Sequence, residues 1–389
     1  MPTPQDLVSR IEWGVLEGGR PRRAGKNARL PEHGSTVKVP ICRLTTSTGA
    51  QGIGLSRLDE SLARQALGLP ISTMFSEEVG TDEPWMAFDF ALWDLSGKSA
   101  GVPVYELIGS NASASSHEPV SVACYDTSLY FDDLLGDAGE NDHRQGAEIV
   151  AKEAAWGYEQ GHRSFKVKVG RGARWMAPRA GLERDIAVVA AVRDAIGPSC
   201  TLLADANNGY TLNIAKEFLD RTSSAQLGWL EEPFHEDGVL LEALHEWTGQ
   251  LGLGVLVADG ESASAEECYK MAAEGWLDVV QCDILAGSFS RWLQLGPRLD
   301  ELQVASAPHH YGLHLGNYVA GHLAGAVRDL RYVEWDQTTT AGVSAPGYTL
   351  DAGRVQLSAQ PGFGIELDET VFARAVQSSG FDLRLSATA

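Results

Sequence analysis

Cysteine, methionine and positive charge are all scarce in this chain of 389 residues. The five cysteines, Cys42, Cys124, Cys200, Cys268 and Cys282, are scattered and never spaced as CxxC. That argues against a disulfide framework or a zinc site and leaves reduced, buried thiols. Lysine and arginine number 31 against 52 acidic side chains, a net charge of −21. Nucleic acid would be repelled overall, whereas a small anion is admissible if the site carries its own cations. No apolar run approaches the ~18 residues of a membrane span. Met1–Arg10 lacks the charged-then-apolar pattern of a signal peptide, so a cytoplasmic protein with no membrane partner is expected.

The hydrophobic content of 44% suffices for a large core. From Phe165 onward the chain repeats one rhythm, in which a short apolar run ends in a polar residue and an amphipathic pattern follows. The runs are Phe165–Val169, Thr201–Ala204, Gly228–Leu230, Gly254–Ala258, Val279–Cys282, Gln303–Ala307 and Tyr332–Val333, with Pro119–Cys124 as an earlier member. Helical patterns fill the gaps at Glu183–Ile196, Ile214–Arg221, Val239–Trp247, Ala265–Glu274 and Arg291–Leu299. Parallel strands with crossover helices are expected, closing into a TIM-type α/β barrel, with a doubly wound open sheet as the rival. Before Pro119, Ser35–Ser47 alternates like a strand paired with Gln51–Ser56, and Asp82–Lys98 reads as a helix. The expected division is an α+β domain at 1–118, the barrel at 119–360 and a tail at 361–389 that packs back on the first domain. Leu134–Gln145 reads as a solvated acidic loop.

Side chains at the C-terminal ends of barrel strands converge on one site. Lys166 and Lys168 end the second run and, two apart, face the same way. Later runs end at Asp205, Glu231, Glu261, Asp283, His309 and Glu334, spaced 22 to 30 residues apart, about one βα unit each. The carboxylates Asp205, Glu231 and Glu261 suit a hard cation with oxygen ligands, Mg²⁺ before Mn²⁺. Taken singly, each would be an ordinary helix cap or loop salt bridge; their common phase argues otherwise. A partly desolvated lysine near another cation has a lowered pKa and can act as a base. His309, oriented by Asp283, would form a second base held in its protonated form. His310 is the alternative to His309, while His314 and His322 read as structural. Arg20, Arg22, Arg23, Lys26 and Arg29 cluster early. Arg22 and Arg23 are expected to clamp the distal end of an anionic substrate, the bland reading being a solvated basic loop.

The ordered set ALWDLSGKSAGVPVYELIG (Ala91–Gly109), FKVKVG (Phe165–Gly170), DANNGY (Asp205–Tyr210), WLEEP (Trp229–Pro233), DGES (Asp259–Ser262), QCD (Gln281–Asp283), PHH (Pro308–His310) and YVEWD (Tyr332–Asp336) resembles the enolase superfamily, within it the mandelate racemase subgroup. The resemblance implies a modified (β/α)7β barrel with an N-terminal capping domain, whose loop near Gly18–His33 closes over the site, and a homo-oligomer. It also implies roles. Asp205, Glu231 and Glu261 would bind magnesium. Lys168 would be the base on one face, tuned by Lys166, with His309 and Asp283 on the other. Glu334 would hydrogen-bond the substrate carboxylate or enediolate, and Asn207 would contact the substrate. Departures include Asp283 without a lysine beside it, against the muconate-lactonising subgroup, and GIGLSR (Gly52–Arg57) without its expected glutamate.

The expected reaction is abstraction of the proton α to a carboxylate through an enediolate, and most favourably dehydration of an acid sugar to a 2-keto-3-deoxy acid. Racemisation or epimerisation of a 2-hydroxy acid at the same site is the alternative. Two rivals come from other classes: a Schiff-base aldolase using Lys166 or Lys168, and a non-catalytic metal-binding relative.

Overall fold

The computed structural model describes residues 6–109, 120–134, 143–311 and 313–386. The first domain is a sheet with a helix laid on it. Strands β1 (Val8–Ala24), β2 (Gly34–Thr46) and β3 (Gln51–Leu55) pair antiparallel in that order. Helix α1 (Asp89–Ala100) is buried from Asp89 through Gly97 and ends at Gly101, whose φ of 74° is the left-handed stop glycine favours. Gly52 and Gly54 let β3 lie on α1, since a Cβ on Gly52 would stand 2.0 Å from the Ala91 carbonyl oxygen. The helix expected over Asp82–Lys98 is thus two pieces, a 3₁₀ segment at Glu83–Phe88 and then α1.

The barrel strands are β4 (Ser121–Leu129), β5 (Ser164–Lys168), β6 (Thr201–Asp205), β7 (Leu227–Glu231), β8 (Leu256–Asp259), β9 (Val279–Val280), β10 (Ala305–Ser306) and β11 (Val333–Trp335). Successive strands pair parallel from β4 to β10, and β11 pairs parallel with β4. A bridge from Ser306 to Leu330 joins β10 to the approach of β11, so the ring closes and the open-sheet rival falls away. Every residue of β5 is buried, as expected of a parallel strand covered on both faces. Helices α2 (His143–Glu159), α3 (Pro178–Ile196), α4 (Leu212–Arg221), α5 (Gly238–Leu251), α6 (Ala265–Ala273) and α7 (Phe289–Leu302) form the outer ring. Local signals set their starts: Asp237 caps α5, and Ser264 with Glu267 forms a reciprocal capping box on α6. Inside, Tyr125, Leu203, Trp229, Ala258, Val279, Ala305 and Ala307 fill the barrel, so the site has an apolar floor.

Three expectations change. The basic stretch after Gly18 is no loop, because β1 runs on to Ala24 and only 25–33 turn back into β2. The chain returns to the first domain before Pro361: Thr339 and Thr340 already pair with β1. The tail holds helix α8 (Glu369–Ser379) before strand β12 (Phe381–Arg384), which pairs with β1 from Arg10 to Trp13. Most of the expected acidic loop, 135–142, lies outside the described residues, and α2 starts within its end. No helix among the described residues is long and apolar enough to cross a membrane.

Candidate active site

The strand ends deliver their side chains in phase because the parallel register does so: Lys168 stands beside Asp205, and Asp205 beside Glu231. Above them lies a chamber of about 280 Å³, lined from the barrel by Lys168, Asn207, Glu261, Asp283 and His309, and from the first domain by Asn27, Arg29, His33 and Arg57. A larger cavity of about 590 Å³ lies against α6 and α7 and meets the chamber only at Glu261 and Asp283; its two arginines, Arg291 and Arg298, are paired with Glu83 and Glu266. Lys168 and His309 line only the smaller space.

Lys166, Asp205, Glu231 and Glu334 lie one contact deeper and are buried. Lys166 Nζ is 2.7 Å from Glu231, 3.1 Å from Glu334 and 3.6 Å from Asp205. Burial disfavours its ammonium, but Glu231 and Glu334 outweigh burial and hold the pKa well above its usual value. The lowered lysine pKa expected from sequence is therefore not found at Lys166. Lys168 Nζ donates to Asp205. Asp205 resists burial and stays more acidic than usual because Lys168 and Lys166 flank it. Burial and the neighbouring Asp205 lift Glu231 to about 7 despite Lys166. Gln281 Nε2 donates to its other oxygen at 2.9 Å.

Across the chamber, His309 Nδ1 is 2.8 Å from Asp283 and Nε2 is 3.2 Å from Glu261. Burial disfavours the imidazolium, yet Glu334, Glu261 and Asp283 outweigh it and raise the pKa to about 10. His310 turns elsewhere: its Nε2 reaches the Glu334 carbonyl at 2.6 Å and its backbone N–H donates to the Glu334 carboxylate at 2.8 Å. Glu334 also accepts from Thr127 at 2.6 Å, and Lys166 and His309 keep it ionised against burial. Asn207 holds φ = 42° and donates to Glu232 at 3.1 Å, while its backbone N–H donates to Asp205 at 2.8 Å.

Arg22 and Arg23 do not line the chamber. Arg22 is drawn between Asp132 and Glu153 (3.5 and 3.2 Å) and donates to the Ser128 carbonyl, because β1 turns it toward the start of the barrel. Arg23 is exposed and pairs with Glu32. The cation of that cluster that enters is Arg29, which donates to Glu232 at 3.2 Å and to Glu261. Only its membership of a basic cluster pointed to it. Glu232 lay in plain view as the second acid of WLEEP, while nothing in the sequence marks Thr127.

The expected metal ligands supply only oxygen, the donor type Mg²⁺ takes, and are mostly buried, where uncompensated negative charge is costly. Residue chemistry thus fits a hard divalent cation. Their oxygens are not closed around one point, however, since Lys168, Lys166 and Arg29 bridge them. Among the described residues, the acidic trio whose ligand oxygens all lie within 4.8 Å of one another is Glu232, Glu236 and Asp259.

A closed barrel under a capping sheet, with acid–base residues at its strand ends, defines an enolase-type protein. The chain belongs to the enolase C-terminal domain-like family, which matches residues 149–371. A mandelate racemase/muconate lactonizing protein from a Geobacillus species, complexed with magnesium and tartrate, superposes with TM-score 0.93 at 39% identity, covering 98% of each chain. A Geobacillus galacturonate dehydratase complexed with D-galacturonate and 5-keto-4-deoxy-D-galacturonate superposes with TM-score 0.91 at 39% identity, covering 98% of this chain and 99% of that one. D-Galactarolactone cycloisomerase of Agrobacterium fabrum is 30% identical over 58% of this chain, which spans only 52% of that relative.

Proposed function

We propose that this protein dehydrates a sugar acid of the hexuronate class in a Mg²⁺-dependent reaction that begins at the carbon α to the carboxylate. The observation that carries this reading is the placement of Lys168 and His309 on one small chamber, with Asp283 fixing the imidazole through Nδ1. The galacturonate dehydratase, alike over nearly its full length, supports the substrate class.

Lys168 Nζ, reacting as the neutral amine, takes the proton from C5, next to the C6 carboxylate, and becomes the ammonium, while the C–H electron pair moves into an enediolate. His309 enters the reaction protonated and gives its Nε2 proton to the C4 hydroxyl, which leaves as water. The resulting enol ketonises by taking a proton at C4. Counted from the acid end, a 5-keto-4-deoxy uronate is the 2-keto-3-deoxy product expected from sequence. Lys166 holds the carboxylate end beneath and is itself positioned by Glu334, and the chamber walls limit water. Asp205, Glu231 and Glu261 would hold Mg²⁺, which supplies positive charge opposite the enediolate oxygens, as sites of this superfamily commonly do. Mn²⁺ offers the same ligand chemistry.

Incubating the Mg²⁺-loaded protein with D-galacturonate in D₂O tests this. Expected is a keto-deoxy product carrying deuterium at C4. Exchange and inversion at C5 without a keto product would instead make the protein an epimerase, and bound Mg²⁺ without any exchange would make it a non-catalytic relative.

A further inference from the structure

Behind the strand-end site, three carboxylates gather without a matching set of cations. Glu232 and Asp259 are fully buried and Glu236 is exposed, and their ligand oxygens all lie within 4.8 Å of one another. Among the described residues the cation paired with them is Arg29, on Glu232, and it is shared with Glu261. Asp259 carries the telling atom. Its Oδ1 accepts from the Gly260 N–H at 2.6 Å, but its Oδ2 is buried with no hydrogen-bond partner. An orphan carboxylate oxygen in a dry site costs several kcal/mol unless something positive meets it. The amide oxygen of Asn208, whose Nδ2 donates to Glu232, is likewise buried without a donor.

From this geometry we infer a second divalent-cation site, formed by Glu232, Glu236 and Asp259 and separate from the strand-end trio. Its ligands are oxygens, so it takes a hard ion such as Mg²⁺ or Mn²⁺. The exposed Glu236 gives the ion a way in. Glu232 directly follows Glu231, and Asp259 lies two residues before Glu261. An ion here ties together the ends of β7 and β8 that present two of the strand-end carboxylates.

Counting bound ions tests this without measuring turnover. The full-length protein is dialysed to equilibrium against Mn²⁺, alongside Glu236→Gln, Asp259→Asn and Asp205→Asn, with thermal melts to confirm folding. Two ions per chain are expected, falling to one in Glu236→Gln and in Asp259→Asn; because Glu236 is exposed, its variant should fold normally. Two ions retained by both variants, or a single wild-type ion lost only in Asp205→Asn, would overturn the second site while leaving the proposed reaction standing. A single wild-type ion lost in Asp259→Asn but kept in Asp205→Asn would uphold this site and remove the strand-end one.

Discussion

Lys168 and His309 owe their places to the barrel. Lys168 comes from β5 and His309 follows β10, so each approaches the chamber from its own side. If they are the two acid–base groups, Lys168→Met and His309→Asn should each lower turnover by about 10²–10⁴-fold. Their solvent-exchange patterns should differ. His309→Asn should still exchange the α-proton in D₂O, because Lys168 remains, while Lys168→Met should not; equal exchange in both variants would contradict the assignment. His322 offers a stability prediction away from the site. It is buried, its Nδ1 accepts from the Tyr105 N–H at 3.1 Å, and Tyr348 lies 2.6 Å from Nε2. Tyr348 donates onward to the Phe363 carbonyl at 2.7 Å, so His322 Nε2–H is the donor and the ring is neutral. Burial lowers its pKa from 6.5 to about 3. Between those values the unfolded chain binds the extra proton, so stability is full above pH 6.5 and falls as pH drops toward 3, by about 1.4 kcal/mol per unit for this group. Urea midpoints at pH 7 and pH 5 should fall less in His322→Gln than in the wild type; an unchanged difference would show that other groups carry the acid sensitivity.

At the scale of elements, β1 decides the fate of the basic cluster. Because it runs as strand to Ala24, it delivers Arg22 to Asp132 and Glu153 and leaves the approach to the chamber to the turn that carries Arg29. Arg22→Ala should therefore cost about 1–3 kcal/mol by taking the arginine from the buried Asp132 and half-buried Glu153, and should leave KM unchanged. A raised KM at unchanged stability would restore the clamp. Neither α8 nor the length of β1 was expected from sequence. The length of β1 is set by partners far away in the chain, β12 pairing with it and α8 packing beside both, whereas α8 carries an Asp368 cap and a Phe372, Ala375, Val376 stripe that was legible but passed over. Barrel helices such as α5 and α6 were legible because they carry their own cap and apolar stripe.

The whole molecule carries 52 acidic groups against 31 basic ones, and Asp205, Glu231, Glu261, Asp283 and Glu334 stand at the strand ends. A cation bound there favours the folded state by mass action, about 2.7 kcal/mol for one site at a hundred times its Kd. Adding Mg²⁺ to metal-free protein should raise Tm well beyond the effect of KCl at matched ionic strength. Equal effects would mean screening of surface charge rather than occupancy of a site. Such a gain is open to a molecule whose capping sheet and returning tail are joined through β1.

By itself the sequence determined the barrel and the residues at its strand ends, because short apolar runs, caps and spacing of one βα unit are local properties. That His309 rather than His310 lines the chamber, the raised pKa of Lys166, the withdrawal of Arg22 and the orphan oxygen of Asp259 were decided only by tertiary structure. Each depends on which distant side chain stands within about 3 Å, and local pattern holds no record of that distance.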